Sequence, residues 1–157
     1  MAAIRVAVLT ISDTRTPETD KSGALIQELL RDEGHEVVYY EVLRDEPLDI
    51  KERVFFLCQR PDVQAVLLNG GTGISPRDGT FEALESILLK SLRGFGELFR
   101  MLSWAEVGSA AMLSRATAGI CGTAIVFSMP GSTNAVGLAM RSLILPELRH
   151  LVFELTK

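Results

Sequence analysis

Cysteine is scarce in this chain of 157 residues: Cys58 and Cys121 are the two thiols, far apart in sequence and not in a C-x-x-C pair. That excludes a disulfide framework and a zinc knuckle and leaves two buried thiols of a cytosolic protein as the expectation. Long apolar runs are missing as well, none approaching the roughly 18 residues a membrane-crossing helix needs. The apolar start, Met1 to Ser12, is interrupted by Arg5 and has no cleavage site, so it reads as a first strand rather than an export signal. A soluble, cytoplasmic protein without membrane contact follows. Excess positive charge is also absent. The formal charge of -4 argues against nucleic acid as a partner, so a phosphate ligand would have to be held locally. Two nucleotide signatures are lacking: no Gly-Lys-Ser/Thr completes a Walker loop, and Pro76 interrupts any G-x-G-x-x-G reading after Gly71 and Gly73.

What is present begins with an ordinary globular balance, 47% hydrophobic and 23% charged, at a length suited to one domain spanning residues 1–157. The stretch that organises the rest is Val63 to Asp78. Val63, Ala65, Val66, Leu67 and Leu68 suit a strand buried on both faces, and Asn69-Gly70-Gly71 ends it. Gly70, Gly71 and Gly73, with Thr72 between, clear side chains from the loop, so backbone N–H groups can approach an anion. Pro76, Arg77 and Asp78 follow, and Thr80 to Lys90 carries a helical period through Phe81, Leu84, Ile87 and Leu88. That period argues against the alternative that Asn69-Gly70 is a hairpin turn.

Ile4 to Ile11 predicts a first strand ending at Ser12 and Asp13, which become site candidates because ligands bind outside the carboxyl ends of parallel strands. They could equally cap a turn. Ser22 is a plausible N-cap for a helix striped by Leu25, Ile26, Leu29 and Leu30, with Gly34 as its stop. His35, a helix-exit residue, leads into a strand through Leu43. Pro47 suits the first turn of the next helix, capped by Asp45 or Glu46. Asp45 follows one strand as Asp78 follows another, so the two carboxylates could share a divalent cation at one rim. This alternation predicts an α/β fold, a three-layer sandwich with a mostly parallel central sheet and helices on both faces. Further on, Phe95, Leu98, Phe99 and Leu102 lie at helical spacing, and Met101 and Trp104 widen that surface into a candidate interface between copies. Ser114 and Arg115 bring polar groups suited to phosphate. Thr123 to Ser128 predicts a last strand, followed by Pro130, Gly131, Ser132 and Asn134 at a helix start where an anion could sit, with Ser132 or Thr133 as a possible cap. Pro146 divides the final helical pattern into two segments or one kinked helix.

Three ordered motifs carry a specific resemblance: Asn69-Gly-Gly-Thr-Gly73 with Pro76-Arg77-Asp78, Met112-Leu-Ser-Arg115 with Ala118-Gly119, and Met129-Pro-Gly131 with Asn134-Ala135. Together they resemble the MoaB/MogA family of molybdenum-cofactor biosynthesis proteins, from the first strand to about His150. Asp20-Lys-Ser-Gly23 and Gly94-Phe-Gly-Glu-Leu-Phe-Arg100 look closer to the MoaB branch. The resemblance implies a molybdopterin-binding domain, a homotrimer or a homohexamer of paired trimers, and Mg-ATP-dependent adenylylation of molybdopterin with release of pyrophosphate. It assigns the catalytic, Mg²⁺-holding pair to Asp45 and Asp78. The substrate loops then match Gly70 to Gly73, Ser114 with Arg115, and Pro130, Gly131, Ser132 and Asn134. Asn69, Gly79 and Ser132-Thr133 depart from the family's usual residues. The other reading is a module in the same pathway that binds molybdopterin, or assembles with partners, without chemistry.

Overall fold

A computed structural model describes residues 2–157. Six strands form one sheet in the order β2-β1-β3-β6-β5-β4. β1 (Arg5–Ile11), β2 (Glu36–Leu43), β3 (Ala65–Asn69) and β6 (Ala124–Met129) run parallel, while β5 (Thr117–Cys121) turns antiparallel to β6 and to the two-residue β4 (Lys90–Ser91). β1, β3 and β6 are almost wholly buried because helices cover both faces, as their unbroken apolar runs require.

Strand alternation divides the core into two layers. Val6, Val8, Leu67 and Phe127 face α1 (Lys21–Asp32), α4 (Arg93–Val107), α5 (Thr133–Ala139) and α6 (Leu145–Thr156), whose Ile26, Leu30, Phe95, Phe99, Val136 and Leu148 fill that side. Ala7, Leu9, Val66 and Leu68 face α2 (Pro47–Gln59) and α3 (Thr80–Glu85), which contribute Ile50, Val54, Leu57 and Leu84. The expected three-layer α/β architecture is thus observed. Cys58 and Cys121 are both buried in this second layer as free thiols.

Local details differ from expectation in three places. Asp20, not Ser22, caps α1: its Oδ1 accepts the Gly23 N–H at 2.9 Å, while the Ser22 hydroxyl donates to the Gly131 carbonyl at 2.6 Å. The helix after the glycine loop stops at Glu85 instead of reaching Lys90, because the Leu89 and Leu92 N–H groups donate to the Ile120 and Ala118 carbonyls and draw this segment onto the sheet edge. Residues 116–122, where the sequence predicts no strand, contain β5, and Gly119 admits its neighbour because a Cβ there would lie 2.4 Å from the Lys90 carbonyl oxygen. The final helical pattern divides near Pro146 as expected, with α6 beginning at Leu145. A π turn, Met140–Ile144, leads from α5 into α6 and takes up the break in hydrogen bonding that proline imposes.

Candidate functional site

The carboxyl ends of β1, β3 and β6 meet at one rim, where three loops enclose a shallow cleft of about 510 Å³. The β1 loop contributes Ser12, Thr14 and Arg15, the β3 loop contributes Gly70, Gly71, Thr72, Gly73 and Asp78, and the β6 loop contributes Pro130, Gly131 and Ser132. Leu113 and Ser114 close one side.

The glycine turn is built by close backbone approach. Gly70 and Gly71 have φ of +100° and +69°, and a Cβ on Gly70 would stand 2.2 Å from the Ile11 carbonyl oxygen. The Gly70 N–H donates to the Met129 carbonyl at 3.0 Å, and the Gly70 carbonyl accepts from Thr80 Oγ1 at 3.1 Å. The turn is therefore fastened to β6 on one side and to α3 on the other.

The two aspartates flank this turn at different depths. Asp45 is buried, and its Oδ1 accepts the Gly79 N–H at 3.2 Å. Its Oδ2 lies behind the loop, 2.9 Å from where a Gly71 Cβ would be. Burial raises the Asp45 pKa above the usual carboxylate range; the Gly79 N–H pulls it down, and the charges of Asp78 and Asp13 push it up again. Asp78 lines the cleft itself, its Oδ2 accepting the Ser75 N–H at 2.9 Å and the Ser75 hydroxyl at 2.8 Å. Neither Asp45 nor Glu46 uses its side chain to cap α2. Asp13 turns away from the cleft, accepts the Asp45 N–H at 3.0 Å, and is held below its ordinary pKa first by the paired Arg77 guanidinium.

The basic residues nearest the loop are mostly committed elsewhere. Arg77 forms ion pairs with Asp13 and Glu46. Arg115, read from sequence as a phosphate ligand, braces the loop: its Nε donates to the Gly73 carbonyl at 2.9 Å, its Nη2 to the Asp78 carbonyl at 3.0 Å, and its Nη1 to Glu82. Its own N–H donates to the Thr72 carbonyl at 2.9 Å, so the backbone before β5 and the guanidinium grip one loop together. A separate hollow of about 560 Å³ lies on the far side of Arg115, between Phe81 of α3 and Arg93 and Arg100 of α4.

Ser132 caps α5 by accepting the Ala135 N–H at 3.1 Å, and Asn134 is exposed outside the cleft. The Ser12 hydroxyl likewise accepts the Thr14 and Arg15 N–H groups. Sequence reasoning missed Arg15 as a cleft residue; its position just past the carboxyl end of β1, beside Ser12 and Asp13, was the available signal.

A parallel α/β domain with a bare-backbone cleft at its strand ends has the architecture of a small-molecule binding domain, in which ligands sit at that rim. Residues 7–150 match the family described as a probable molybdopterin binding domain. The chain is 56% identical over 153 residues to Molybdenum cofactor biosynthesis protein B of Bacillus anthracis, covering 97% of this chain and 90% of that one. A crystal structure of a molybdenum cofactor biosynthesis protein B superimposes with a TM-score of 0.96 at 54% identity, covering 99% of this chain and 97% of the other. The tungsten cofactor synthesizing protein MoaB of Pyrococcus furiosus does so with a TM-score of 0.87 at 37% identity, covering 99% and 98%. The chain belongs to the molybdopterin-binding MoaB/MogA family of molybdenum-cofactor biosynthesis proteins, on its MoaB branch.

Proposed function

We propose that this chain acts in molybdenum-cofactor biosynthesis by adenylylating molybdopterin with Mg-ATP. The observation that carries the reading is the pairing of a bare glycine turn with two carboxylates from separate crossovers, Asp78 in the cleft and Asp45 behind the loop. In the reaction, a phosphate oxygen of molybdopterin attacks the α-phosphorus of ATP. The new P–O bond gives adenylyl-molybdopterin, and the α–β bridging bond breaks to release pyrophosphate. Such a transfer needs alignment and charge neutralisation and no nucleophilic side chain. Gly70 to Gly73 leave room for phosphates against the backbone, Pro130 and Gly131 form the opposite wall, and Arg115 fixes the loop that carries Asp78.

No cluster of three or more metal-binding side chains occurs among the described residues. Two carboxylates still fit Mg²⁺, which takes one or two of them and completes its shell with substrate phosphates and water. Asp45 and Asp78 would hold it, and when bound it would offset phosphate charge.

Incubation with Mg-ATP and molybdopterin should release pyrophosphate, and Asp78→Asn should abolish release while circular dichroism stays unchanged. Equal turnover by the variant would reject the assignment. The second reading, binding without chemistry, draws support from the Asp78 oxygen already engaged twice by Ser75. Pterin binding with no calorimetric signal for Mg-ATP would favour it.

The same reading takes residues 1–157 as one cytoplasmic domain that works as a trimer or hexamer. Its support is the exposed apolar surface of α4 and the following 3-10 turn: Leu98, Met101, Trp104, Val107 and Met112 are each 46% to 77% exposed. A monomer mass by light scattering at micromolar concentration would contradict the assembly.

A further inference from the structure

We propose that Arg15 is the cleft's phosphate-binding cation, holding a phosphate monoester or polyphosphate against the Pro130–Gly131 wall, opposite the end occupied by Asp78. The inference rests on the reading of the cleft as a phosphorylated-ligand site and deepens it by naming the residue that meets the negative charge. Arg15 is the only Lys or Arg side chain among the described residues that lines this cleft. Arg77 and Arg115, the basic residues nearest the glycine loop, are engaged with carboxylates and loop carbonyls.

Arg15 is held in place yet left with donors to spare. Its Nη2 donates to the Gly131 carbonyl at 2.9 Å, and its N–H to Ser12 Oγ at 3.0 Å. The guanidinium sits against Gly131, where a Cβ would come within 3.5 Å of Nη1 and 3.6 Å of Nη2. Asp20 stands behind it at 3.9 Å, too far for a hydrogen bond and near enough to orient the charge. The Asp20 oxygens also accept the Gly23 N–H at 2.9 Å and the Tyr40 hydroxyl at 2.5 Å, so Asp20 pairs with Arg15 through charge and takes up none of its N–H groups. Among the described residues the guanidinium makes one hydrogen bond, from Nη2 to Gly131, and its side chain is one-third exposed. A planar guanidinium with open N–H groups is the side chain best matched to phosphate oxygens. Gly131 and Asp20 thus serve one purpose: a floor with no side chain and a rear anchor for a cation aimed at the ligand.

The test is calorimetric binding to the full chain of four probes: molybdopterin, its dephosphorylated form, Mg-ATP and inorganic pyrophosphate. Arg15→Ala should weaken the phosphorylated ligand that Arg15 meets by about 10- to 100-fold, the loss expected for one charged hydrogen-bonded contact, and Arg15→Lys should recover part of it. A drop confined to molybdopterin assigns the pterin phosphate; a drop confined to Mg-ATP and pyrophosphate assigns the nucleotide end, and either upholds the proposal. Dephosphorylated molybdopterin should bind wild type and Arg15→Ala within about threefold of each other, because no charge is lost there. Equal weakening of both pterin forms would reduce Arg15 to a brace for Gly131 and overturn the proposal, as would no weakening of any phosphorylated probe. A wild type that releases no pyrophosphate from Mg-ATP and molybdopterin, while Arg15→Ala still loses pyrophosphate or pterin binding, would reject the adenylylation reading and leave this one standing. Wild type binding none of the four probes would reject both.

Discussion

Replacing Gly71 by alanine probes the packing that sets the glycine turn. The new Cβ would stand 2.3 Å from Thr80 Oγ1 and 2.9 Å from Asp45 Oδ2, on a residue with φ of +69°. Holding alanine in the left-handed region costs about 1–2 kcal/mol, offset by roughly 0.5 kcal/mol through the stiffer unfolded chain. The steric overlap forces Thr80 to rotate and give up its buried hydrogen bond to the Gly70 carbonyl, which adds about 1–3 kcal/mol. The expected loss is therefore about 2–4 kcal/mol, read as a lower urea midpoint by circular dichroism at unchanged slope. Thr80→Ala removes the obstructing hydroxyl, so Gly71→Ala should be milder in that background by about 1 kcal/mol or more. A loss below about 0.5 kcal/mol in wild type, or the same loss in both backgrounds, would refute the packing argument.

Asp45→Asn should abolish pyrophosphate release and leave the fold as stable or more stable, since the amide oxygen still accepts the Gly79 N–H and no charge is buried. The pH dependence gives the sign. Asp45 has a folded pKa raised by burial, so the folded state binds its proton more tightly than the unfolded chain does. Its contribution is favourable below the unfolded carboxylate pKa and is lost as pH rises through the raised folded value; urea midpoints compared between wild type and Asp45→Asn across acid to neutral pH should show that slope in wild type alone. Arg115→Ala should speed amide hydrogen exchange across residues 72–79, because three loop carbonyl contacts depend on the residue's side chain or its seating; unchanged exchange would deny the bracing role. Cys58 and Cys121 should ignore a thiol-specific disulfide reagent until denaturant is added, given that each is 1% exposed.

The parallel core was readable because periodicity and burial agree there. β1, β3 and β6 are continuous apolar runs, and α1 and α2 carry their stripes on the side that packs. β4 and β5 were not readable. Thr117 to Cys121 has too little side-chain bulk to signal a strand, and its state is set by pairing with β6 across the sheet. Phe81, Leu84, Ile87 and Leu88 gave a helical period that the chain keeps only to Glu85; Ile87 and Leu88 still pack on the core from an irregular segment. At the site, the rim and its glycine turn followed from strand ends and φ requirements. The division of labour among arginines did not, since Arg15, Arg77 and Arg115 look alike in sequence and differ only in what surrounds them.

Arg115 has a mechanical consequence. It lies two residues beyond Leu113, whose exposed neighbour Met112 caps the apolar surface of α4, and it clamps the loop that carries Asp78. The exposed apolar surface and the loop that carries Asp78 are thus joined through one side chain. Moving the backbone at Arg115 would shift the Asp78 carbonyl before it disturbed the core.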